Sequence, residues 1–203
     1  MIRFLIPALC LCLPASAQAA TGDQGYFPVA DHARWTYSIE IAMPDGLHKG
    51  ERVRQTNGRE RIGGKEYYKI TTVTSGIPGV QTENEHMRED PSGAYELDDE
   101  KSGEFSVAPL SLTAGAAWDL KSSRINAKCK VEGFEPAEVA GRKLDHCATI
   151  KCTGEIKAPD GTMGLESTSL RCPGVGLVKE DLVFKAGAQK AKTTLVLKSF
   201  ALQ

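Results

Sequence analysis

Residues 169–181 read SLRCPGVGLVKED, a Pro and two Gly set between two β-rich runs with a Cys at the joint. Three readings compete for such a stretch: a phosphate-cradling loop, a redox site, or a corner between strands. A phosphate loop needs G-x-x-x-x-G-K-[ST], with a strand before it and a helix after it. Here Gly176 leads into Leu-Val-Lys-Glu-Asp-Leu-Val-Phe, which is strand-like. Redox chemistry of the usual kind needs C-x-x-C, and Cys172 has no such neighbour. Pro173 fixes its own φ and removes a backbone donor, while Gly174 and Gly176 tolerate positive φ. The stretch therefore reads as a corner at which one strand turns into the next.

Working outward, the same grammar repeats. KLDHCATIKCTGEI (143–156) and MGLESTSLRC (163–172) flank KAPDGT, whose Asp160-Gly161 is a hairpin signal. GLVKEDLVF (176–184) and TTLVLKSFAL (193–202) flank KAGAQKAK, a second hairpin. Upstream, WTYSIEIA (35–42) alternates, and KEYYKITTVTS (65–75) is dense in residues that suit a pleated surface. GVQTENEHMRE, AYELD, EFSVAPL and AWDLKSSRINAKCKVEGF continue the series. No stretch shows apolar residues at i, i+3, i+4 and i+7 between a cap and a stop. The pattern predicts an all-β domain, an antiparallel meander of about ten strands. With no helix to cover it, the sheet must close as a barrel or fold as a sandwich. FPVADHARW (27–35) and APLSLTAGAAW (108–118) each run from a Pro into a Trp that opens a strand, where each Trp is expected to plug one end of the core.

The first nineteen residues read differently. Arg3 precedes the apolar run FLIPALCLCL, and PASAQAA supplies small residues at an A-x-A cleavage site. The reading is a signal peptide over residues 1–19 and a single β domain over 20–203, placed in the periplasm or secreted. The apolar run is shorter than the roughly 20 residues a membrane span needs, and no later run approaches that length. Cys10 and Cys12 follow Leu rather than the small residue that a lipid-acceptor Cys prefers.

The charges nearly balance, 25 Lys and Arg against 26 Asp and Glu, which argues against the concentrated basic footprint of a nucleic-acid binder. Four cysteines follow the leader: Cys129, Cys147, Cys152 and Cys172. An even number in an exported chain predicts disulfides. Cys147 and Cys152 are an odd number of positions apart, so they face opposite sides of a strand and take different partners. The expected pairs are Cys129–Cys147 and Cys152–Cys172, the latter across the Asp160-Gly161 hairpin.

Candidates for chemistry are few. The four His residues lie in no metal-ligand spacing, and no G-x-S-x-G elbow occurs. Asp98, Asp99, Glu100 and Glu104 surround Gly103 and read as a solvated hairpin tip. VQTENEHMRE is unusual because neither of its alternating faces is apolar. It reads as a charge-protected edge strand, or else as a polar contact strand presenting Asn84, His86 and Arg88 to a cavity or partner.

Three landmarks, YFPVADHARWTY, APLSLTAGAAWDL and CPGVGLVKE, occur in this order. Together they resemble the F-P-x-x-x-G-x-x-W-x-Y, P-L-x-x-G-x-x-W and P-G-V-G-x-V-k segments of a broad group of exported bacterial β-proteins, many of them lipoproteins. The resemblance implies a β fold and an envelope location. Arg171-Cys172 stands where that group has Tyr-Ala, which suggests a local disulfide. The sequence carries no recognisable catalytic constellation or cofactor motif. The expected function is binding without catalysis or cofactor: a small apolar or amphipathic ligand held in the β domain, with docking to an envelope protein as the alternative.

Overall fold

The computed structural model describes residues 25–77, 81–99, 103–158 and 161–202. The leader expected over residues 1–19 lies outside them, as do Val80, Glu100 and Asp160. The described residues form one antiparallel sheet of 12 strands: β1 Arg34–Met43, β2 Gly46–Ile62, β3 Lys65–Ser75, β4 Gln81–Asp90, β5 Gly93–Asp99, β6 Gly103–Ala108, β7 Ala117–Lys121, β8 Ile125–Val139, β9 Arg142–Ala158, β10 Gly161–Cys172, β11 Gly176–Ala186 and β12 Gln189–Ala201. Neighbours in sequence pair, except that β6 and β7 do not, while β1 pairs with β12. The result is a nearly closed barrel whose two free edges, β6 and β7, face each other.

The strand count exceeds the expected ten for two reasons. HKGERVRQTNGRERI carries too many charges to show alternation, yet it forms most of the long β2. The single run 117–134 folds back on itself: Ser122 Oγ accepts the backbone N–H groups of Arg124 (3.1 Å) and Ile125 (3.0 Å), making the turn between β7 and β8. Elsewhere the turns are tight. Gly63 and Gly64, both at positive φ, join β2 to β3, and Ala140 and Gly141 do the same for β8 and β9. Such paired positive φ values match the twist of the flanking strands.

Side chains close the seam between β6 and β7. Trp118 Nε1 donates to the carbonyl of Val107 at 2.8 Å, and Ser123 donates to the carboxylate of Asp98, Oγ to Oδ1 at 2.8 Å. At one end of the barrel the segment 25–33 folds inward. Tyr26 and Phe27 join a cluster with Leu112, Cys129, Val131 and Ile150, and the Tyr26 hydroxyl donates to the carbonyl of His146.

The opening stretch is the corner it was expected to be. Cys172 pairs with Gly176 across a three-residue turn, with Gly174 at φ 66° and Gly176 at φ 86°. The turn is anchored from three sides. Trp35 Nε1 donates to the Val175 carbonyl at 2.8 Å, Gly174 N–H donates to the Gly25 carbonyl at 3.1 Å, and Pro28 packs where a Cβ on Gly176 would sit. Trp35 and Trp118 are each the second residue of their strand. Trp35 is buried in the core, and Trp118 spans the seam.

All four cysteines form disulfides, but not in the expected pairs. The bonds are Cys129–Cys152 and Cys147–Cys172. The reason is register. Cys129 sits directly opposite Cys152 in the β8–β9 pair. Across β9–β10, Cys152 falls opposite Ser167, and Arg171 opposite Ala148, so Cys172 meets Cys147. Cys147 and Cys152 do take different partners, as their spacing requires.

Candidate functional site: the barrel interior

Alternation along the strands turns two chemically different walls toward the barrel axis. On the first, β1 contributes Trp35 and Tyr37, β2 Arg52 and Arg54, β3 Thr72, β4 Glu85 and Met87, and β5 Glu96. On the second, β7 to β11 contribute Trp118, Leu120, Ile125, Ile150, Leu165, Leu182 and the Cys129–Cys152 bridge, with Ser167, Ser169, Arg171 and Glu180 among them. Between the walls runs a lumen. A chamber of about 200 Å³ lies beneath the plug formed by Phe27, Pro28, Trp35 and the 173–176 corner. A second, of about 170 Å³, follows the apolar wall. A wider one of about 800 Å³ occupies the opposite end, between Ile39, Ile41, Leu97, Phe105, Ile156 and Phe184. Val107 borders all three, and Arg171 and Glu180 are shared by the two narrower ones.

The polar groups of the lumen are unequally satisfied. Arg54 pairs with Glu85 at 2.9 Å and lies over the Trp35 ring, 5.8 Å from its centroid. Arg52 donates to Thr74 Oγ1 at 3.0 Å. Glu180 accepts from Ser167 Oγ at 3.1 Å. Arg171 lies over the ring of Phe27, 4.2 Å from its centroid. Burial lowers its pKa, although Glu180 pulls the other way. Burial pushes the Tyr37 hydroxyl up to about 12, so it stays a neutral donor. Burial, with Glu85 and Asp98 nearby, pushes Glu96 up to about 7 despite Arg54. A carboxyl that is half-protonated near neutrality, rather than fully charged, stands on the polar wall.

Asn84, His86 and Arg88 share a face of β4, which pairs with β3 along Gln81–Met87 and with β5 only along Met87–Asp90. The edge-strand reading therefore holds for residues 81–86, which among the described residues have β3 alone beside them, and fails from Met87 onward, where β5 pairs with the strand. Arg88 is engaged within the fold: its Nε and Nη2 both reach Glu104 at 2.6 Å, it also contacts Asp90, and its guanidinium lies over the Tyr95 ring. His86 meets Glu60 at 3.1 Å, and Asn84 accepts from Thr71 Oγ1 at 2.9 Å while bordering the wider chamber. The opposite face of the strand, with Glu85 and Met87, turns to the lumen. Nor are Asp98 and Glu104 a solvated tip. Asp98 ties the seam, and Glu104 is only 14% exposed and also accepts from Tyr67 Oη at 2.6 Å and Lys65 Nζ at 3.0 Å. The Arg88 bonds above all, with those from Tyr67 and Lys65, hold its carboxyl at about 2 against burial. Among the described residues, no three His, Cys, Asp or Glu side chains converge as a metal site.

Arg52, Arg54 and Arg171 were not singled out by the sequence. The only available signal was indirect: their strands break hydrophobic alternation at positions that the neighbouring register turns inward.

No protein-family model matches the sequence, and no curated protein is significantly similar to it. Two crystal structures share the fold. One is a provisionally assigned lipoprotein from Parabacteroides distasonis ATCC 8503, with a TM-score of 0.54 and 13% identity over 88% of this chain and 99% of that one. The other is a provisionally assigned exported protein with a YmcC-like fold from Bacteroides fragilis NCTC 9343, with a TM-score of 0.54 and 11% identity over the same shares. This chain is therefore similar in architecture to a YmcC-like β-barrel.

Proposed function

We propose that the protein is an exported, non-catalytic binding protein that holds one small amphipathic molecule in the barrel lumen. One observation carries the reading: an internal lumen in which an apolar wall faces a wall of arginines and carboxyls. Ligand sites of this kind are concave, mostly apolar and fixed by a few polar groups, and small barrels hold single ligands in this way. A purely structural core would fill that space with side chains, as small barrels commonly do. Export is supported by the leader-like residues 1–19 and by two disulfides, which persist in oxidising compartments.

The test is saturable binding of N-phenyl-1-naphthylamine, a neutral fluorophore whose emission rises in apolar surroundings. The wild type should bind it near one-to-one. Leu182→Trp, which fills the lumen where two chambers meet, should abolish binding with little change in melting temperature. Equal binding by both proteins would place the fluorophore elsewhere and count against a lumenal site.

A further inference from the structure

Resting on that reading, we infer that the ligand carries an anionic headgroup, a carboxylate or phosphate, held at the plugged end of the barrel by Arg171 and Arg52 with the Tyr37 hydroxyl between them, and an apolar chain lying along Leu165, Ile150 and Leu182.

Among the described residues Arg54 has its carboxylate, Glu85, whereas neither Arg52 nor Arg171 has a carboxylate within ion-pair distance. Arg171 stacks on Phe27, and among the described residues neither its guanidinium nor the Tyr37 hydroxyl forms a hydrogen bond. Arg171 retains some accessible surface, yet it sits near the end of β10 beneath the plug. That surface is cavity wall.

A part-buried cation without a partner is under-compensated, and an unused hydroxyl beside it adds to the deficit. Both are relieved by one anion. The three groups lie together. Arg52 is the cross-strand partner of Tyr37, and Arg52, Arg54, Arg171 and Glu180 are the charges that the Tyr37 hydroxyl feels.

The carboxyls of this chamber do not replace an exogenous anion. Glu85 is committed to Arg54, and Glu180 accepts from Ser167 without reaching Arg171. Glu96 is partly protonated near neutral pH. Arg171 and Arg52 are thus left without a carboxylate of the described fold upon them.

The second half of the ligand follows from position. Arg171 borders both the chamber under the plug and the one along the apolar wall. An anion seated on it therefore has the apolar wall of the second chamber contiguous with it. A free inorganic anion would leave that surface wet; an acyl chain covers it.

The experiment compares cis-parinaric acid, its methyl ester and inorganic phosphate on the disulfide-bonded protein. Direct fluorescence reads the first two, and competition against the acid reads phosphate. The acid should bind at least about tenfold tighter than the ester, the scale of one charge-assisted hydrogen bond. Arg171→Gln should erase that difference by weakening the acid alone, Arg171→Lys should restore part of it, and Tyr37→Phe should weaken the acid by a smaller factor. Phosphate displacing the acid at millimolar concentration would show that the headgroup alone is recognised through a phosphate-type contact. Failure of phosphate to compete would show that a chain is required.

If acid and ester bind equally and Arg171→Gln changes neither, the anionic headgroup is overturned while the lumenal site stands. If folded wild type binds neither the acid nor the ester, both are overturned. If Arg171→Gln does not fold, the Arg171→Lys and Tyr37→Phe comparisons decide by the same criteria.

Discussion

The two halves of the barrel are built from the same strand geometry and carry opposite chemistry inward. From β7 to β10 the inward positions are largely apolar, and two disulfides tie β8 to β9 and β9 to β10. From β2 to β5 the inward positions include Arg52, Arg54, Thr72, Glu85 and Glu96, and no covalent link crosses the strands. One half is a cross-linked scaffold with an apolar face; the other presents charge that the fold satisfies only in part. Incomplete satisfaction of buried polar groups is destabilising in a structural core and useful in a binding site.

The largest expected effects belong to the disulfides of the cross-linked half. Each closes a loop, with its cysteines 23 and 25 residues apart, and loops of about that size contribute roughly 3 kcal/mol each in the chain-entropy account. Replacing either pair by Ser should lower the urea midpoint by a corresponding amount. Non-reducing peptide mapping of the wild type should return Cys129–Cys152 and Cys147–Cys172. A Cys129–Cys147 link would contradict the register described above.

A smaller loss should follow from Gly176→Ala. Its φ of 86° is strained for any L side chain, and the new Cβ would lie 3.1 Å from Pro28 Cδ. The expected cost is about 1–3 kcal/mol. It should appear as a lower melting temperature, with ligand binding falling only as folded protein falls. A variant that melts like wild type yet binds nothing would make the corner part of the site rather than its support.

The charged wall can be sharpened by pH. Glu96 is raised from 4.5 to about 7, so the folded state holds a proton that the unfolded state has released between those values. Its burial therefore lowers stability progressively as pH rises from about 4.5 to 7, and the loss is complete above that. Glu96→Gln should melt like wild type at pH 5 and roughly 2–4 °C higher at pH 8, the size of shift that about 1 kcal/mol gives in a chain of this length. Glu104 works in the opposite sense. Arg88, Tyr67 and Lys65 hold it at about 2, so the stability it contributes is present above about 4.5 and lost as pH falls towards 2. A pH-independent difference between Glu96→Gln and wild type would remove Glu96 from the lumen. The smallest effects belong to Asn84→Ala and His86→Ala, whose contacts are exposed. Each should change stability by no more than about 0.5 kcal/mol.

How much of this could be read in the sequence divides along the same line. β9, β10, β11 and β12 alternate clearly, so fold class and meander follow directly from KLDHCATIKC onwards. The disulfide pairing was also legible, by counting. A two-residue turn at Ala140-Gly141 sets Cys129 opposite Cys152, and the β9–β10 register that pairs Ala158 with Gly161 sets Cys147 opposite Cys172. The Asp160-Gly161 signal locates the hairpin without fixing its register, and the register decides the pairing. Two bulges in the β8–β9 pair, each adding a residue to a different strand, cancel and leave the outer register intact. The polar wall was not legible, because β2 and β4 carry polar residues on both faces. In VQTENEHMRE parity separates Glu85 from His86, but only the packing of β3 and β5 shows which of them meets the lumen.

The most direct test of the account is native mass spectrometry of the protein isolated, without denaturation, from the cell that exports it. The account predicts a one-to-one adduct that is released on unfolding, is recovered as an anion in negative-ion mode, and is absent from Leu182→Trp. A wild type that flies at the bare mass, and takes up no acidic or neutral amphiphile when offered one, would contradict it.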